Sequence, residues 1–399
     1  MERKILHLDL DAFFCAVEEL LDPSLKGKAF AVGGSPNSRG VVSSCSYPAR
    51  LFGVRSAMPM GRALSLCPHL IIVHHRFGIY SETSDKVMAI LRDYTPLFQQ
   101  VSVDEAFLDV SDLPQPNGAI ARDMQQRIDC ELQLPCSIGA ATNKLVAKVA
   151  NDVGKSRVRT GKAPRQITVV PPGTEADFLA PLDVQALWGI GPKTAERLHS
   201  RAVHTIGQLA NLPLPELEYF FGKNAREIQE KARGIDHSLV HSERDVKSLS
   251  NEVTFSTDTC DLEQLLATLR RLSDKVGYRM RQASLMGGVV QIKLRYEDFT
   301  TLTRQTALAN PTNLDDEIFT AAQNLLLATL IPGRLVRLIG VGVSQLTEPY
   351  QQLALWDDSR SQKEQLALAI DALNEKYGKN IITRGIDVKK TPKSGGKKV

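Results

Sequence analysis

The sequence predicts an α+β protein built from several domains. Three observations lead there. A chain of 399 residues exceeds one typical core and suggests two to four domains. Over roughly the first 170 residues, short strand-like segments alternate with amphipathic helices. A mainly helical stretch follows, and then, past a polar linker, comes the order β-α-β-β-α-β, which builds a four-stranded sheet with both helices on one side.

Residues 4–10 alternate, with Leu6, Leu8 and Leu10 on one face and Ile5, His7 and Asp9 on the other, so the segment reads as a strand. A short helix is expected over 13–20, and residues 23–75 form a Gly- and Pro-punctuated segment with short apolar runs. Val87, Ile90, Leu91 and Tyr94 mark the buried stripe of a helix over 80–94, with Ser81 as its N-cap. Strands over 98–103 and 106–110 flank Asp104 and Glu105. A helix over 117–131, a strand in PCSIGAAT and a helix over 143–154 come next. The last of these places Lys144 and Lys148 one turn apart on its polar side, opposite Leu145, Val149 and Val153. Pro171 and Pro172 open the helical stretch, which runs to about residue 235, and 236–248 reads as a linker. Strands are then expected over 249–256, 288–297, 300–308 and 334–346, with helices over 261–283 and 313–330. Leu262, Leu265, Leu266, Leu269, Leu272, Val276 and Met280 line one face of the first helix. In the second strand, Val290, Ile292, Leu294 and Tyr296 face the helices while Gln291, Lys293 and Arg295 face outward. A final helix is expected over 360–377.

The net charge of +4 is mild, but its distribution is uneven. Residues 143–165 hold seven Lys or Arg against the single acid Asp152, and the last eleven residues hold five Lys and no acid. Clustered positive charge attracts phosphate, although a solvated basic face reads the same way. Cys15, Cys45, Cys67, Cys130, Cys136 and Cys260 show neither C-x-x-C spacing nor a nearby His in zinc-ligand spacing, which fits free thiols in a reducing compartment. Acids interrupt the apolar start, so it is not a signal peptide, and no run approaches membrane-spanning length. A cytoplasmic protein with no membrane partner is expected.

Asp9 projects opposite the Leu6, Leu8, Leu10 stripe, while Asp104 and Glu105 lie in VSVDEAFLDV. Three carboxylates from two strands make a hard-oxygen site suited to Mg²⁺ or Mn²⁺. Two such ions about 3.5–4 Å apart serve in-line phosphoryl displacement. On a straight strand Asp104 and Glu105 would point to opposite faces, so the site requires a turn there. Paired acids on a strand are also an ordinary surface feature, and the pattern alone leaves both readings open.

Several motifs together narrow the choice. DLDAFFCAVEE, SYPARLFGVRSAMP, SVDEAFLDV, NKLVAKVANDVGKS and LWGIGPKTAERL resemble, in order and spacing, the DinB branch of the Y-family, or translesion, DNA polymerases. The resemblance covers about residues 3–346. It implies a right-hand polymerase with a palm (1–11 and 77–170), small fingers (12–76), a helix-hairpin-helix thumb (171–235), a linker (236–248) and a little-finger domain (249–347), followed by a tail (348–399). It further implies two Mg²⁺ ions held by Asp9, Asp104, Glu105 and the Leu10 carbonyl, with Asp11 outside the ligand set. Phe14 matches the steric-gate position, where a ring beneath the sugar leaves no volume for a 2′-hydroxyl. Tyr47 and Arg50 match contacts to the incoming deoxynucleoside triphosphate, Ser44 a hydroxyl nearby, and Lys155 a further point charge.

In LWGIGPKTAERL, Gly189 and Gly191 are expected to permit a turn that side chains would block, and Pro192 suits the first turn of the next helix. Free N–H groups there, beside Lys193, suit a phosphate of primer-template DNA. Outward-facing Lys293 and Arg295 are candidates for the same backbone. Gln352, Leu353, Leu355 and Trp356 in QLALW resemble the clamp-binding peptide of bacterial polymerases, with Trp in place of the usual Phe, and make a sliding clamp the expected partner. The Lys-rich end reads as a weak DNA-binding arm or a solubilising tail. The resemblance thus implies a low-fidelity, monomeric polymerase without proofreading, and the chain has no room for a separate exonuclease domain. A palm-fold nucleotidyl cyclase and a catalytically dead clamp-bound scaffold are the competing readings. The first needs no helix-hairpin-helix, steric gate or little finger, and the second gives no reason to keep Asp9, Asp104 and Glu105.

Overall fold

The computed structural model describes residues 3–158, 160–242, 245–349 and 359–378, so QLALW at 352–356 and the Lys-rich end lie outside the described residues. The chain divides into two compact units, residues 1–244 and 245 onward. In the first, β1 (Ile5–Leu10) leads into α1 (Phe13–Leu21), β2 (Phe30–Gly33), β3 (Val42–Cys45), α2 (Tyr47–Leu51), α3 (Met60–Leu66), β4 (Ile71–Val73) and α4 (Phe77–Arg92). After these come β5 (Phe98–Gln100), β6 (Glu105–Asp109), α5 (Asn117–Leu132), β7 (Cys136–Ala141), α6 (Lys144–Ser156) and β8 (Ile167–Val169). The helical stretch holds α7 (Glu175–Leu179), α8 (Pro192–His199), α9 (Ile206–Ala210), α10 (Leu214–Phe221) and α11 (Ala225–Ala232).

A five-stranded sheet in the order β5-β6-β1-β7-β8 forms the centre of this unit, with β1 antiparallel to both neighbours. Alternation along β1 feeds two cores, one on each face. Leu6, Leu8 and Leu10 pack with Phe13, Val17, Met88, Leu91, Met124 and Ile128. Ile5, with Phe107 of β6, packs instead with Leu145 and Val149 of α6. The segment 23–75 adds a three-stranded sheet, β3-β2-β4, with its own small core around Ala31, Val42 and Met60.

Four local expectations need correction. The fourth helix starts at Phe77 rather than 80, with Arg76 at the N-cap making no side-chain capping bond, and Ser81 is an exposed interior residue. Tyr94 falls beyond its end. Packing of buried Tyr80 against Phe13 and Phe14 sets this helix start, a tertiary cause that a cap rule cannot see. The expected strand over 98–103 ends at Gln100, because the N–H groups of Val101 and Ser102 both donate to the Glu105 carbonyl and turn the chain. Lys144 is buried rather than solvated, donating to the Leu239 carbonyl at 2.8 Å and to Gln99 Oε1 at 3.2 Å.

The second unit contains β9 (Ser248–Thr259), α12 (Leu262–Gln282), β10 (Met286–Tyr296), β11 (Thr301–Thr312), α13 (Asp315–Thr329), β12 (Val336–Thr347) and α14 (Ser359–Tyr377). Its strands pair antiparallel in the order β11-β10-β12-β9. Val290, Ile292, Leu294 and Tyr296 share one core with Leu265, Leu269 and Val276 of α12 and Ile318 and Leu326 of α13. Leu262 is the exception on its predicted face: it stands exposed in the first turn, where the Asp261 carboxylate caps the N–H groups of Glu263 and Gln264. Arg281 of α12 binds Asp371 of α14 at 2.6 and 3.0 Å and Asp315 at 2.8 Å. No helix among the described residues is long and apolar enough to cross a membrane.

Candidate active site

Asp9 and Glu105 are direct partners across β1 and β6, so both side chains rise from the same face of the sheet. Asp104 closes the turn that precedes β6. Its carbonyl accepts from the Leu10 N–H at 2.9 Å, and its carboxylate accepts from the Ser102 hydroxyl at 2.5 Å. The same hydroxyl accepts from the Glu105 N–H at 3.0 Å. This hairpin end supplies the turn that adjacent acids need in order to share a site.

One stripe of α6 lies against these acids. Lys144, Lys148, Asn151 and Lys155 follow one another at four-, three- and four-residue steps, one face of a helix. Lys148 Nζ meets both Glu105 oxygens, at 3.1 and 3.3 Å. Lys155 forms a close ion pair with Asp9 and stands 3.5 Å from Asp11. Asp11 itself is buried, accepting from the Ser137 hydroxyl at 2.9 and 3.0 Å and from the Arg165 N–H at 2.9 Å. These bonds occupy both of its carboxylate oxygens.

Phe14 is half-buried and stacks on Tyr80 with ring centres 4.4 Å apart and planes 17° from parallel. The Tyr80 hydroxyl donates to buried Glu18 at 2.6 Å, which fixes the lower ring. Tyr47 stands close enough to Asp11 and Asp9 that their charges, after burial, hold its hydroxyl protonated well above the usual range. The Arg50 guanidinium covers the Tyr47 ring at 4.4 Å and donates through Nε to the Cys45 carbonyl at 3.3 Å. Ser44 is buried in β3, beside the Cys15 thiol. Tyr47 and Lys155 thus share the surroundings of Asp9, with Arg50 stacked on Tyr47.

Among the described residues no three His, Cys, Asp or Glu side chains already converge as a metal cluster. The charge balance nonetheless fits a cation. Burial first, and the neighbouring Glu105 and Asp104 charges besides, push the Asp9 carboxyl up to about 7 even with Lys155 beside it. His7 and then Lys148 hold Glu105 down, to about 2. An acid kept ionised next to one whose charge is resisted is a place where added positive charge is stabilising, and the oxygen donors suit a hard divalent ion.

Away from this centre, Gly189 has φ +106°, a conformation that favours glycine, and Gly191 is the N-cap of α8 at φ −82°. An added Cβ would meet nothing within 4 Å at either position, which corrects the expectation that side chains would block the turn. Gly189 is required by its backbone angle alone, and the open space at Gly191 leaves the α8 N–H groups accessible beside exposed Lys193. In the second unit, Lys293 and Arg295 face outward as expected, but each is engaged: Lys293 pairs with Glu252 at 2.9 Å and Arg295 donates to the Thr301 hydroxyl at 2.9 Å.

Reading the sequence missed His7 and Asn151 as neighbours of the acids and assigned Lys148 only to a polar face. The signal for His7 was available, because it shares the Asp9 face of the β1 alternation. For Asn151 and Lys148 it was the seven-residue spacing, two helical turns, between Lys148 and Lys155.

The impB/mucB/samB family model matches residues 8–152, the C-terminal domain of that family matches 246–355, and its HHH motif matches 172–201. The chain is 41% identical over 387 residues to a DNA polymerase IV of Dehalococcoides mccartyi, covering 96% of this chain and 97% of the other. It is 37% identical over 396 residues to DNA polymerase IV 1 of Bacillus subtilis, covering 97% and 94%. Among solved structures, a chimera of the Y-family DNA polymerases Dbh and Dpo4 aligns with a TM-score of 0.77 and 26% identity, over 87% of this chain and all of that one. DinB from Sulfolobus solfataricus aligns with a TM-score of 0.59 and 27% identity over the same shares.

Proposed function

The chain belongs to the impB/mucB/samB family, the DinB-type Y-family DNA polymerases, and from that membership we propose how its residues extend a primer. It is a DNA-directed DNA polymerase of translesion synthesis and DNA repair, acting on DNA and nucleotide substrates with divalent metal. The observation that supports the site assignment is the pairing of Asp9 with Glu105 across β1 and β6, next to the turn where the Asp104 carbonyl accepts from the Leu10 N–H.

Two Mg²⁺ ions, replaceable by Mn²⁺, would be held by Asp9, Asp104, Glu105 and the Leu10 carbonyl. Bound there, the metal supplies acidity to the primer 3′-hydroxyl and charge for the triphosphate and departing pyrophosphate. Arg50 offers a planar fork to phosphate oxygens, Tyr47 and Ser44 add hydroxyl donors, and Lys155 adds a mobile charge. Phe14, held on Tyr80, occupies the space a ribose 2′-hydroxyl would need. Gly189, Gly191 and Lys193 take a DNA phosphate at the α8 N-terminus, while Lys293 and Arg295 grip backbone from the sheet of the second unit. Palm, fingers, thumb and little finger take the boundaries read from the sequence. The enzyme works as a cytoplasmic monomer of low fidelity without proofreading, and QLALW (Gln352, Leu353, Leu355, Trp356) tethers it to a sliding clamp.

Primer extension tests the assignment. Asp104→Ala and Glu105→Ala are each expected to abolish extension while leaving primer-template affinity within a few-fold. Extension by either variant at the normal rate would overturn the metal site.

A further inference from the structure

We propose that His7 and Asn151 form a buried positioning pair for Glu105, in which Asn151 dictates which ring nitrogen of His7 carries the proton and His7 steadies the carboxylate. The inference rests on the reading of Glu105 given above and extends it to residues beneath the site.

The hydrogen bonds of Asn151 fix its orientation. Its side-chain nitrogen stands 3.2 Å from the His7 carbonyl and 3.1 Å from the Ser137 carbonyl. Two carbonyl oxygens demand a donor, so the amide cannot be turned to set its own oxygen against them. The same nitrogen lies 3.0 Å from His7 Nδ1 and shares its two hydrogens among the three acceptors. Nδ1 must therefore present its lone pair. Both residues are buried, and a cationic ring would set a hydrogen on Nδ1 against the Asn151 N–H₂, so the ring is neutral and its one proton sits on Nε2.

That proton is aimed at Glu105. Nε2 stands 3.6 Å from Glu105 Oε2, slightly beyond hydrogen-bond length, and has no hydrogen-bond partner among the described residues. Phe107, directly across from His7 on β6, packs on the ring with centres 4.7 Å apart and keeps it from rotating away. A buried donor with no partner of its own closes on the first acceptor within reach. Here that acceptor is the carboxylate that Lys148 touches from the α6 side. Lys148 supplies charge on a flexible stem, whereas the imidazole supplies direction. Histidine and its fixed tautomer thus define where the Glu105 oxygens point.

The test uses the full chain with ¹⁵N-labelled histidine and four variants. In metal-free wild type, the ring-nitrogen shifts of His7 are expected to report a neutral, Nε2-protonated ring, and Asn151→Ala should mix the two tautomers. His7→Phe keeps the ring packing without the donor. It should slow extension about ten- to a hundredfold and raise the Mg²⁺ concentration for half-maximal rate, at unchanged primer-template affinity. His7→Gln returns an N–H near the Nε2 position and should restore the rate to within a few-fold of wild type. A ring protonated on Nδ1 overturns the proposal whatever the variants do. Normal extension by His7→Phe beside a dead Glu105→Ala overturns the pair and leaves the metal site standing. Normal extension by Glu105→Ala overturns both. If His7→Phe does not fold, the Asn151→Ala tautomer and its rate decide: an unchanged, single tautomer sinks the proposal.

Discussion

Phe14 illustrates what one residue's surroundings add to its identity. The motif around it implies a gate, but only the structure shows the ring stacked on Tyr80, which is itself hydrogen-bonded to Glu18. A gate discriminates only if it cannot swing aside, and this stack supplies the resistance. Phe14→Ala is expected to raise ribonucleotide relative to deoxynucleotide insertion by at least about tenfold, equivalent to roughly 1.4 kcal/mol of lost exclusion. The same change removes an aromatic pair from a half-buried position and should lower stability by about 1–2 kcal/mol. Single-nucleotide insertion with matched ribo- and deoxy-substrates checks the first, and denaturant unfolding the second. An unchanged insertion ratio would remove the gate. Other residues were legible to different depths. Asp9, Asp104 and Glu105 stand in recognisable motifs, whereas Tyr80 and Glu18 are 62 residues apart and no local pattern pairs them.

At the scale of elements, α6 carries the lesson. Its sequence shows an apolar side and a basic side, and the ordinary inference sends the basic side to solvent. Instead Lys148 and Lys155 of that side meet Glu105 and Asp9 of the sheet, since buried or half-buried cations settle where carboxylates already lie. Periodicity revealed the helix, and could not reveal what stood opposite it. How close the helix approaches is set by Gly139 of β7. A Cβ there would sit 1.9 Å from the Ala147 carbonyl oxygen and 2.6 Å from the Asn151 N–H nitrogen, both backbone atoms of α6. Gly139→Ala must therefore push the helix off the sheet, carrying Lys148, Asn151 and Lys155 away from Glu105, His7 and Asp9. A destabilisation of about 3 kcal/mol or more is expected, at the upper end for overpacked cores, together with a loss of extension rate in whatever fraction folds. Wild-type melting with wild-type extension would mean that the helix approach is not limiting. The hairpin end at 101–104 makes the complementary point: side-chain alternation called for a turn or twist at Asp104 and Glu105 if the two were to share a site, but placed strand through 103 where the turn lies.

For the whole molecule, the organisation of the cores decides what separates. Every residue of three clusters lies before 245, and every residue of the fourth lies after it. The order β-α-β-β-α-β made the second unit readable from sequence, because each helix length and strand alternation fits one four-stranded sheet. The three-stranded sheet of the first unit was not readable, since its strands of three or four residues are too short to show a period. A unit with its own closed core should fold alone, so residues 245–399 are expected to give one cooperative thermal transition by circular dichroism. The companion fragment 1–244 keeps the carboxylates, Phe14 and the α8 turn, but lacks the sheet carrying Lys293 and Arg295. If that sheet grips DNA backbone, the fragment should bind primer-template more weakly than the full chain. Its affinity should also fall less steeply with salt, by about one unit of log–log slope for each phosphate left without its cation. Lys293→Ala in the full chain should shift the slope in the same direction, by at most about one unit, since Glu252 already competes for that amine. A fragment binding with undiminished affinity and an unchanged slope would place the DNA grip entirely in the first unit and leave the outer face of the second to some other partner.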